Sequence, residues 1–189
     1  MTTSNPRWPN CGGRTRPVEL WCEDEARLGL KPVARRVWAL TGTRPRSCGR
    51  QRFESLDGYG FARPATGRNL CLFRPKADAE GMGEALAAFA AWADPRGEQT
   101  LVLRVDNAGG HTAKRLVVPA NVRLHPLPSC TPALQPAARL WPRVREAVAN
   151  RTFDHLVALA AKLRRRCDYL ADHPEMVQGA VGFHWAIDH

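Results

Sequence analysis

The chain has 189 residues, and its 44% hydrophobic content is enough to bury the core of one ordinary domain. The formal net charge is +10, from 28 basic and 18 acidic residues, so the surface attracts polyanions and nucleic acid is the leading partner. No apolar run reaches the roughly 18 residues of a membrane span, and the first residues lack the apolar stretch of a signal peptide. We therefore expect a cytoplasmic protein with no membrane association and no small-molecule cofactor.

The cysteines are scattered, with no CxxC pair and no histidine at zinc-ligand spacing. This pattern favours reduced thiols over a zinc site or a secreted disulfide framework. We expect all six to be free thiols, at Cys11, Cys22, Cys48, Cys71, Cys130 and Cys167.

In chain order, residues 1–17 are polar and rich in Pro, Gly and Arg, and are interpreted as a flexible lead-in. Residues 18–22 alternate apolar and polar side chains, which predicts a strand that ends at an acidic triplet. Asp24 is thus expected at or near a strand end. Weaker extended patterns follow at 52–61 and 69–73, separated by a turn-forming cluster at 63–67.

The alanine-rich segment 79–93 has apolar residues at helical spacing and predicts a helix that Asp94-Pro95 ends. Residues 100–105 then predict a buried strand running directly into Asp106. The remaining predicted elements are a brief helix at 112–116, a strand at 122–127, and helices at 137–150 and 153–170. Residues 171–189 are treated as a C-terminal tail, which leaves 18–170 as the domain.

Three strands before the first helix, followed by strand and helix in alternation, predict an α/β fold with a mixed sheet flanked by helices. Asp24 and Asp106 each follow a predicted strand, and carboxylates at adjacent strand ends can bind divalent metal ions for phosphoryl transfer. The residues alone leave a second interpretation open, in which Asp106 starts a turn and Asp24 is solvated.

Several short motifs occur in a fixed order and carry a family resemblance. The chain resembles the catalytic domain of the mariner-related bacterial insertion-sequence transposases, a branch of the DDE superfamily. The resemblance covers roughly residues 18–170. The matching segments are VELWCEDEAR at 18–27, Trp38 with Gly42 and Pro45, RPATG at 63–67, VDNAGGH at 105–111, and PLP at 126–128 through Leu140-Trp141.

The resemblance implies a five-stranded RNase H-like fold in which three acids hold two Mg²⁺ or Mn²⁺ ions, and an activity that cuts and joins DNA. Asp24 matches the first acid and Asp106 the second. The third acid belongs at the end of a segment that reads proline, any residue, leucine, asparagine, proline, any residue, acid. Here that segment is PALQPAA at 132–138, so Ala138 stands at the position of the acid and Gln135 replaces asparagine.

Other departures point the same way. Glu146, the nearest acid downstream, is too far along the helix to substitute, at about 80° of rotation and about 12 Å of rise. Pro142 interrupts the predicted helix, which we expect to begin near Trp141 instead. Relatives carry helix-turn-helix modules ahead of this domain, so we expect recognition of the element's ends to be absent here. Homologous transposases act as dimers, which implies a homodimer.

Other side chains have two interpretations each. His111 either orients a phosphate or a metal-bound water, or caps a turn. Arg164, Arg165 and Arg166 either contact a DNA backbone or form a solvated helix face. The tryptophans Trp21, Trp38 and Trp141 are expected in the core rather than in base stacking.

The sequence therefore predicts a transposase catalytic domain with DNA as its partner, impaired in metal-dependent strand cleavage because Ala138 replaces an acid. Whether it is an enzyme stays open at this point. The alternatives are a non-catalytic, basic nucleic-acid-binding module and a remnant with no activity.

Overall fold

The computed structural model describes residues 16–44, 46, 53–76, 78–106, 116–128, 131 and 134–187. Its strands are β1 (Val18–Gly29), β2 (Ser55–Ala62), β3 (Asn69–Arg74), β4 (Thr100–Val105) and β5 (Val122–Pro126). Its helices are α1 (Ala79–Ala93), α2 (Leu140–Arg145), α3 (Leu156–Asp172), α4 (Pro174–Val181) and α5 (His184–Ile187), and short 3₁₀ turns at Ala137–Arg139 and Glu146–Val148 flank α2. Within these ranges no helix is both long and apolar enough to cross a membrane.

The strands form one sheet in the order β3-β2-β1-β4-β5. Strands β1, β2 and β3 pair antiparallel, whereas β4 and β5 run parallel to β1. The predicted mixed, five-stranded α/β sheet is therefore confirmed. Strand β1 lies at its centre, bonded to β4 along its first half and to β2 along its second.

Alternation along the strands divides the core between the two faces of the sheet. On one face, Trp21, Tyr59 and Phe61 pack with α1, and Phe89 of that helix stacks on Phe61 at a centroid distance of 4.5 Å. On the other face, Ala26 and Leu28 pack with residues of α2, α3 and α4. Side chains at odd positions of β1 therefore face α1, and side chains at even positions face α2, α3 and α4.

Strand β1 is longer than the sequence analysis expected. It does not end before the acidic triplet, so the expectation that Asp24 lies at a strand end is wrong. Antiparallel pairing with β2 continues from Cys22 to Gly29, and the buried even positions Ala26 and Leu28 keep the strand alternation going. Asp24 occupies an even position in the middle of the central strand, where the paired backbone holds it rigidly.

The helical half differs in detail from the predicted pattern. Helix α2 spans only six residues, and Pro142 lies in its first turn, where its missing N–H costs little. Helix α3 begins at Leu156, because the His155 ring accepts a hydrogen bond from the backbone N–H of Ala158 at 3.1 Å. The residues after 170, set apart as a tail, include α4, whose Val177 and Val181 are fully buried.

The three tryptophans expected in the core do not share one environment. Trp21 and Trp141 are buried, as predicted, at 0% and 3% exposure. Trp38 is fully exposed, so that prediction is wrong. It lies between β1 and β2, where the described residues 31–44 form no helix and no strand beyond a bridge at Val33. Of the cysteines, Cys22, Cys71 and Cys167 fall in the described ranges and are free thiols.

Candidate active site

The sheet register brings the two predicted acids near each other. Parallel pairing of β1 with β4 runs from Val18 opposite Thr100 to Cys22 opposite Arg104, and Asp24 and Asp106 each lie two residues beyond that last matched pair. Side chains at matched positions of parallel strands project from the same face, and neighbouring strands lie about 4.8 Å apart. Both carboxylates are partly exposed. Together they form an acid pair that faces the helices α2 to α4.

Asp24 is held from the side of the helices by a tryptophan. The indole Nε1–H of Trp141 donates a hydrogen bond to the Asp24 carboxylate at 2.9 Å. The ring lies on the bare backbone of β2, where a Cβ atom added at Gly58 or at Gly60 would come within 2.9 Å of indole carbons. Two glycines on one face of β2 thus make room for the ring, and the ring fixes one oxygen of Asp24.

Residues on either side of Ala138 bind the same stretch of β1. The buried amide of Gln135 donates to the backbone carbonyl of Glu23 at 2.7 Å, and Trp141 binds Asp24. These contacts lie three residues before and three residues after Ala138, which is partly exposed within the 3₁₀ turn. The turn carrying Ala138 therefore lies beside β1 at Glu23 and Asp24.

Neighbouring acids on β1 cannot take the place of a third carboxylate. Glu23 and Glu25 occupy odd positions and project to the α1 face, away from Asp24. There, burial raises the pKa of Tyr59 to about 12, with help from the negative charges of Glu25, Asp78, Glu23 and Asp57.

Glu146 already forms ion pairs with two arginines. Its carboxylate forms ion pairs with Arg166 at 3.2 Å and with Arg143 at 4.0 Å. No group of three or more His, Cys, Asp or Glu side chains suited to a metal occurs within the described ranges. Within the described ranges the candidate site thus has two acids, Asp24 and Asp106.

A cation that the sequence analysis did not single out lies beside the acid pair. Arg104 precedes Asp106 by two residues and so projects from the same face of the sheet. Its guanidinium lies 2.6 Å from His125 Nδ1 and stacks over the Trp185 ring of α5, with its carbon 5.4 Å from the ring centroid. Burial raises the pKa of the adjacent Cys22 thiol to about 12, although the Arg104 charge opposes that shift. No local sequence pattern marked Arg104, because its partners come from β5 and α5.

The other predicted contact residues fall in different places. His111 lies outside the described residues. Arg164 and Arg165 are exposed on α3. Arg166 is mostly buried, donates to the Arg143 carbonyl at 3.0 Å, and stacks over Tyr169. The structure thus gives Arg166 a role in joining α2 to α3.

Comparison with known proteins identifies the family. The family described as DDE superfamily endonuclease matches residues 19–160. An uncharacterized protein, y4pE/y4sA, of Sinorhizobium fredii (strain NBRC 101917 / NGR234) is 30% identical over 129 residues, which is 68% of this chain and 94% of that protein.

Solved structures of the mariner transposase Mos1 share the fold. The paired-end complex with the left transposon end is 16% identical, with a TM-score of 0.55 over 87% of this chain and 55% of that one. The Mos1 paired-end complex with Mn has the same identity and TM-score over 88% and 56%. The chain thus spans little more than half of the Mos1 chains, and the predicted RNase H-like fold is confirmed. With a family match over most of its length, the chain belongs to the DDE superfamily endonucleases.

Proposed function

We propose that this chain is the catalytic domain of a bacterial insertion-sequence transposase, carried by residues 18–170, in which metal-dependent cleavage and joining of DNA is impaired. The observation that carries the proposal is that Asp24 and Asp106 lie two residues beyond the last matched pair of β1 and β4, next to the turn that contains Ala138. DNA is its proposed partner, in keeping with the net charge of +10. Self-association as a homodimer and action in the cytoplasm are part of the same proposal.

The residues present fit one divalent cation better than two. Carboxylate oxygens are the ligands that Mg²⁺ and Mn²⁺ prefer, and Asp24 and Asp106 would share such an ion. A second ion would bring the metal charge to +4 against two carboxylates, with fewer oxygen ligands to hold it. When bound, a pair of metal ions stabilises the attacking and leaving oxygens of a phosphoryl transfer. Alanine at position 138 would therefore weaken binding of the metal ion that depends on the third acid.

The chain's own residues prepare this site in two ways. Trp141 holds one carboxylate oxygen of Asp24 in place, which restricts the rotamer that faces Asp106. Strand β1 holds the Asp24 backbone in the centre of the sheet through its pairing with β2. These features describe a site whose scaffold is intact and whose ligand set is incomplete.

A second candidate is a nucleic-acid-binding module that has lost catalysis. It is favoured by the combination of a basic chain with an alanine at position 138. Salt-dependent DNA binding without any Mg²⁺-dependent cleavage, even after Ala138→Glu, would select it.

Plasmid nicking with Mg²⁺ or Mn²⁺ tests the proposal. We expect no or weak nicking by the unmodified chain, nicking by Ala138→Glu, and none by Ala138→Glu combined with Asp106→Ala. Ala138 is partly exposed, so the glutamate has room at the surface of the site. Strong nicking by the unmodified chain that Asp106→Ala abolishes would show that another group supplies the third ligand.

A further inference from the structure

A pocket outside the acid pair has a basic rim and an apolar floor. It has a volume of about 220 Å³ and lies where β1 ends, between the chain that follows β1 and the helices α2 and α3. We call it the basic pocket. Its rim carries Arg27, Lys31 and Arg145, and its floor includes Leu28, Val33, Val148 and Leu159.

The rim of the basic pocket is fixed by backbone contacts. Val33 pairs with Ala149 in a parallel bridge, and the Asn150 N–H donates to the Val33 carbonyl at 2.9 Å. The Asn150 side chain both accepts from the Arg35 N–H at 2.9 Å and donates to the Arg35 carbonyl at 3.1 Å. Asn150 has a φ of 55°, a conformation that asparagine tolerates better than most residues. The basic side chains are therefore presented by an anchored segment.

Positive charge dominates this surface. Two acids nearby are paired with arginines: Asp57 with Arg27 of the rim at 3.1 Å, and Glu146 with Arg166 at 3.2 Å. Arg27 keeps 74% of its side chain exposed despite that ion pair. Segments 27–36 and 145–151 carry a single acid, Glu146, against the cations Arg27, Lys31, Arg35, Arg36, Arg145 and Arg151. Such a surface suits a polyanion, since each cation can contact a phosphate oxygen.

The basic pocket lies on the same edge of the molecule as the acid pair. The Arg27 Cα lies three residues beyond Asp24 on β1, a rise of roughly 10 Å, although its side chain projects from the opposite face of the strand. Arg145 follows Trp141 by one helical turn, so the two project from the same side of α2. Two sites this close on one edge of the molecule can contact the backbone of the same DNA duplex.

We propose that the basic pocket binds the DNA backbone next to the acid pair, with Lys31 and Arg145 contacting phosphate oxygens. This inference rests on the proposed function, in which DNA is the partner. Phosphate contacts of this kind fix the register and orientation of DNA and carry no base specificity. The basic pocket would thus place DNA for the acid pair whether or not the third acid is present.

The test compares two variants that each remove two positive charges. Lys31→Gln with Arg145→Gln alters the basic pocket. Arg96→Gln with Arg123→Gln is the matched control. Both residues are exposed and lie near the amino-terminal ends of β4 and β5, at the other end of these strands from Asp106. Binding of a fluorescent DNA duplex is measured by anisotropy over a range of salt concentrations, with EDTA present so that no metal contributes. Thermal melting followed by circular dichroism shows that each variant is folded.

We expect the Lys31 and Arg145 variant to bind at least about tenfold more weakly at about 50 mM salt. The slope of log K against log salt should fall in magnitude by about 2, because each phosphate left without its cation lowers the slope by about 0.9. The control should keep the unmodified slope. If the Lys31 and Arg145 variant melts early, Lys31→Gln alone should lower the slope by about 1, because Lys31 is exposed and its replacement does not disturb the core.

Two outcomes overturn the inference while leaving DNA as the partner. One is an unchanged slope in the Lys31 and Arg145 variant, and the other is equally weakened binding in both double variants, which would indicate a diffuse effect of net charge. Absence of salt-dependent binding by the unmodified chain is a different result, because it removes DNA as the partner and so contradicts the proposed function itself.

Discussion

Replacing Trp141 with phenylalanine should reveal how strongly the indole N–H is coupled to Asp24. The substitution removes a 2.9 Å hydrogen bond to a carboxylate and shrinks a ring that is only 3% exposed. A hydrogen bond to a charged group contributes about 1.5–3 kcal/mol, which we take at its lower end because Asp24 is partly exposed. The poorer packing adds roughly 1–2 kcal/mol. We expect Trp141→Phe to lower the free energy of unfolding by about 3 kcal/mol.

A double-mutant cycle separates the two contributions. Denaturant unfolding is measured for the unmodified chain, Trp141→Phe, Asp24→Ala and the double variant. In the Asp24→Ala background only the packing effect remains, so Trp141→Phe should cost about 1.5 kcal/mol less than in the unmodified chain. Additive effects within about 0.4 kcal/mol would refute the coupling between the indole and the carboxylate.

Three further predictions concern stability and reactivity. Gly60→Ala places a Cβ 2.9 Å from the Trp141 ring and should lower the free energy of unfolding by about 1–3 kcal/mol, measured with denaturant. The control Gly179→Ala, at an open helical position, should raise that free energy by up to about 1 kcal/mol. Equal effects of the two substitutions would contradict the tight fit around Trp141. Burial opposes ionisation of Asp94, but hydrogen bonds from the backbone of residues 97–99 and the amide of residue 121 lower its pKa. The stabilisation from ionised Asp94 is therefore complete above about pH 4 and is lost as the pH falls further. Asp94→Asn should lower the melting temperature at pH 7 and lower it progressively less below pH 4. A decrease in melting temperature that does not change with pH would contradict this. Cys22, with a pKa of about 12, should resist iodoacetamide at pH 8 until the chain unfolds. Rapid labelling of Cys22 itself in the native protein, located by peptide mass spectrometry, would refute its burial.

The elements with strong local signals were predicted well. Helix α1 occupies 79–93 and β4 occupies 100–105, as expected, because the helix has regular apolar spacing with a clear stop at Asp94 and the strand is a short apolar run. Helix α3 also follows its amphipathic pattern, with Leu159 and Leu163 buried. In these segments the local pattern and the tertiary environment favour the same structure.

The errors arose where tertiary contacts override local signals. Three consecutive acids suggested the end of β1, yet the strand continues because Glu23 and Glu25 face α1 while Ala26 and Leu28 remain in the core. Trp38 was assigned to the core from its residue type, which does not tell whether another element covers the ring.

The candidate residues could be named from the sequence, but their supports could not. The resemblance pointed to Asp24, Asp106 and Ala138. In the structure Asp24 and Asp106 lie two residues beyond the last matched pair of β1 and β4, and residues on either side of Ala138 contact β1. The bond from Trp141 to Asp24 joins residues 117 positions apart. The two glycines that accept the indole lie on yet another strand. Only the folded chain reveals such contacts.

The most direct test of the central claim is the number of Mn²⁺ ions that the chain binds, measured by electron paramagnetic resonance of the free ion. The account predicts at most one weakly bound ion in the unmodified chain, two in Ala138→Glu, and markedly weaker binding in Asp24→Ala. Two tightly bound ions in the unmodified chain would contradict the claim that position 138 has cost the site a ligand. Binding that persists unchanged in Asp24→Ala would contradict the assignment of the acid pair itself.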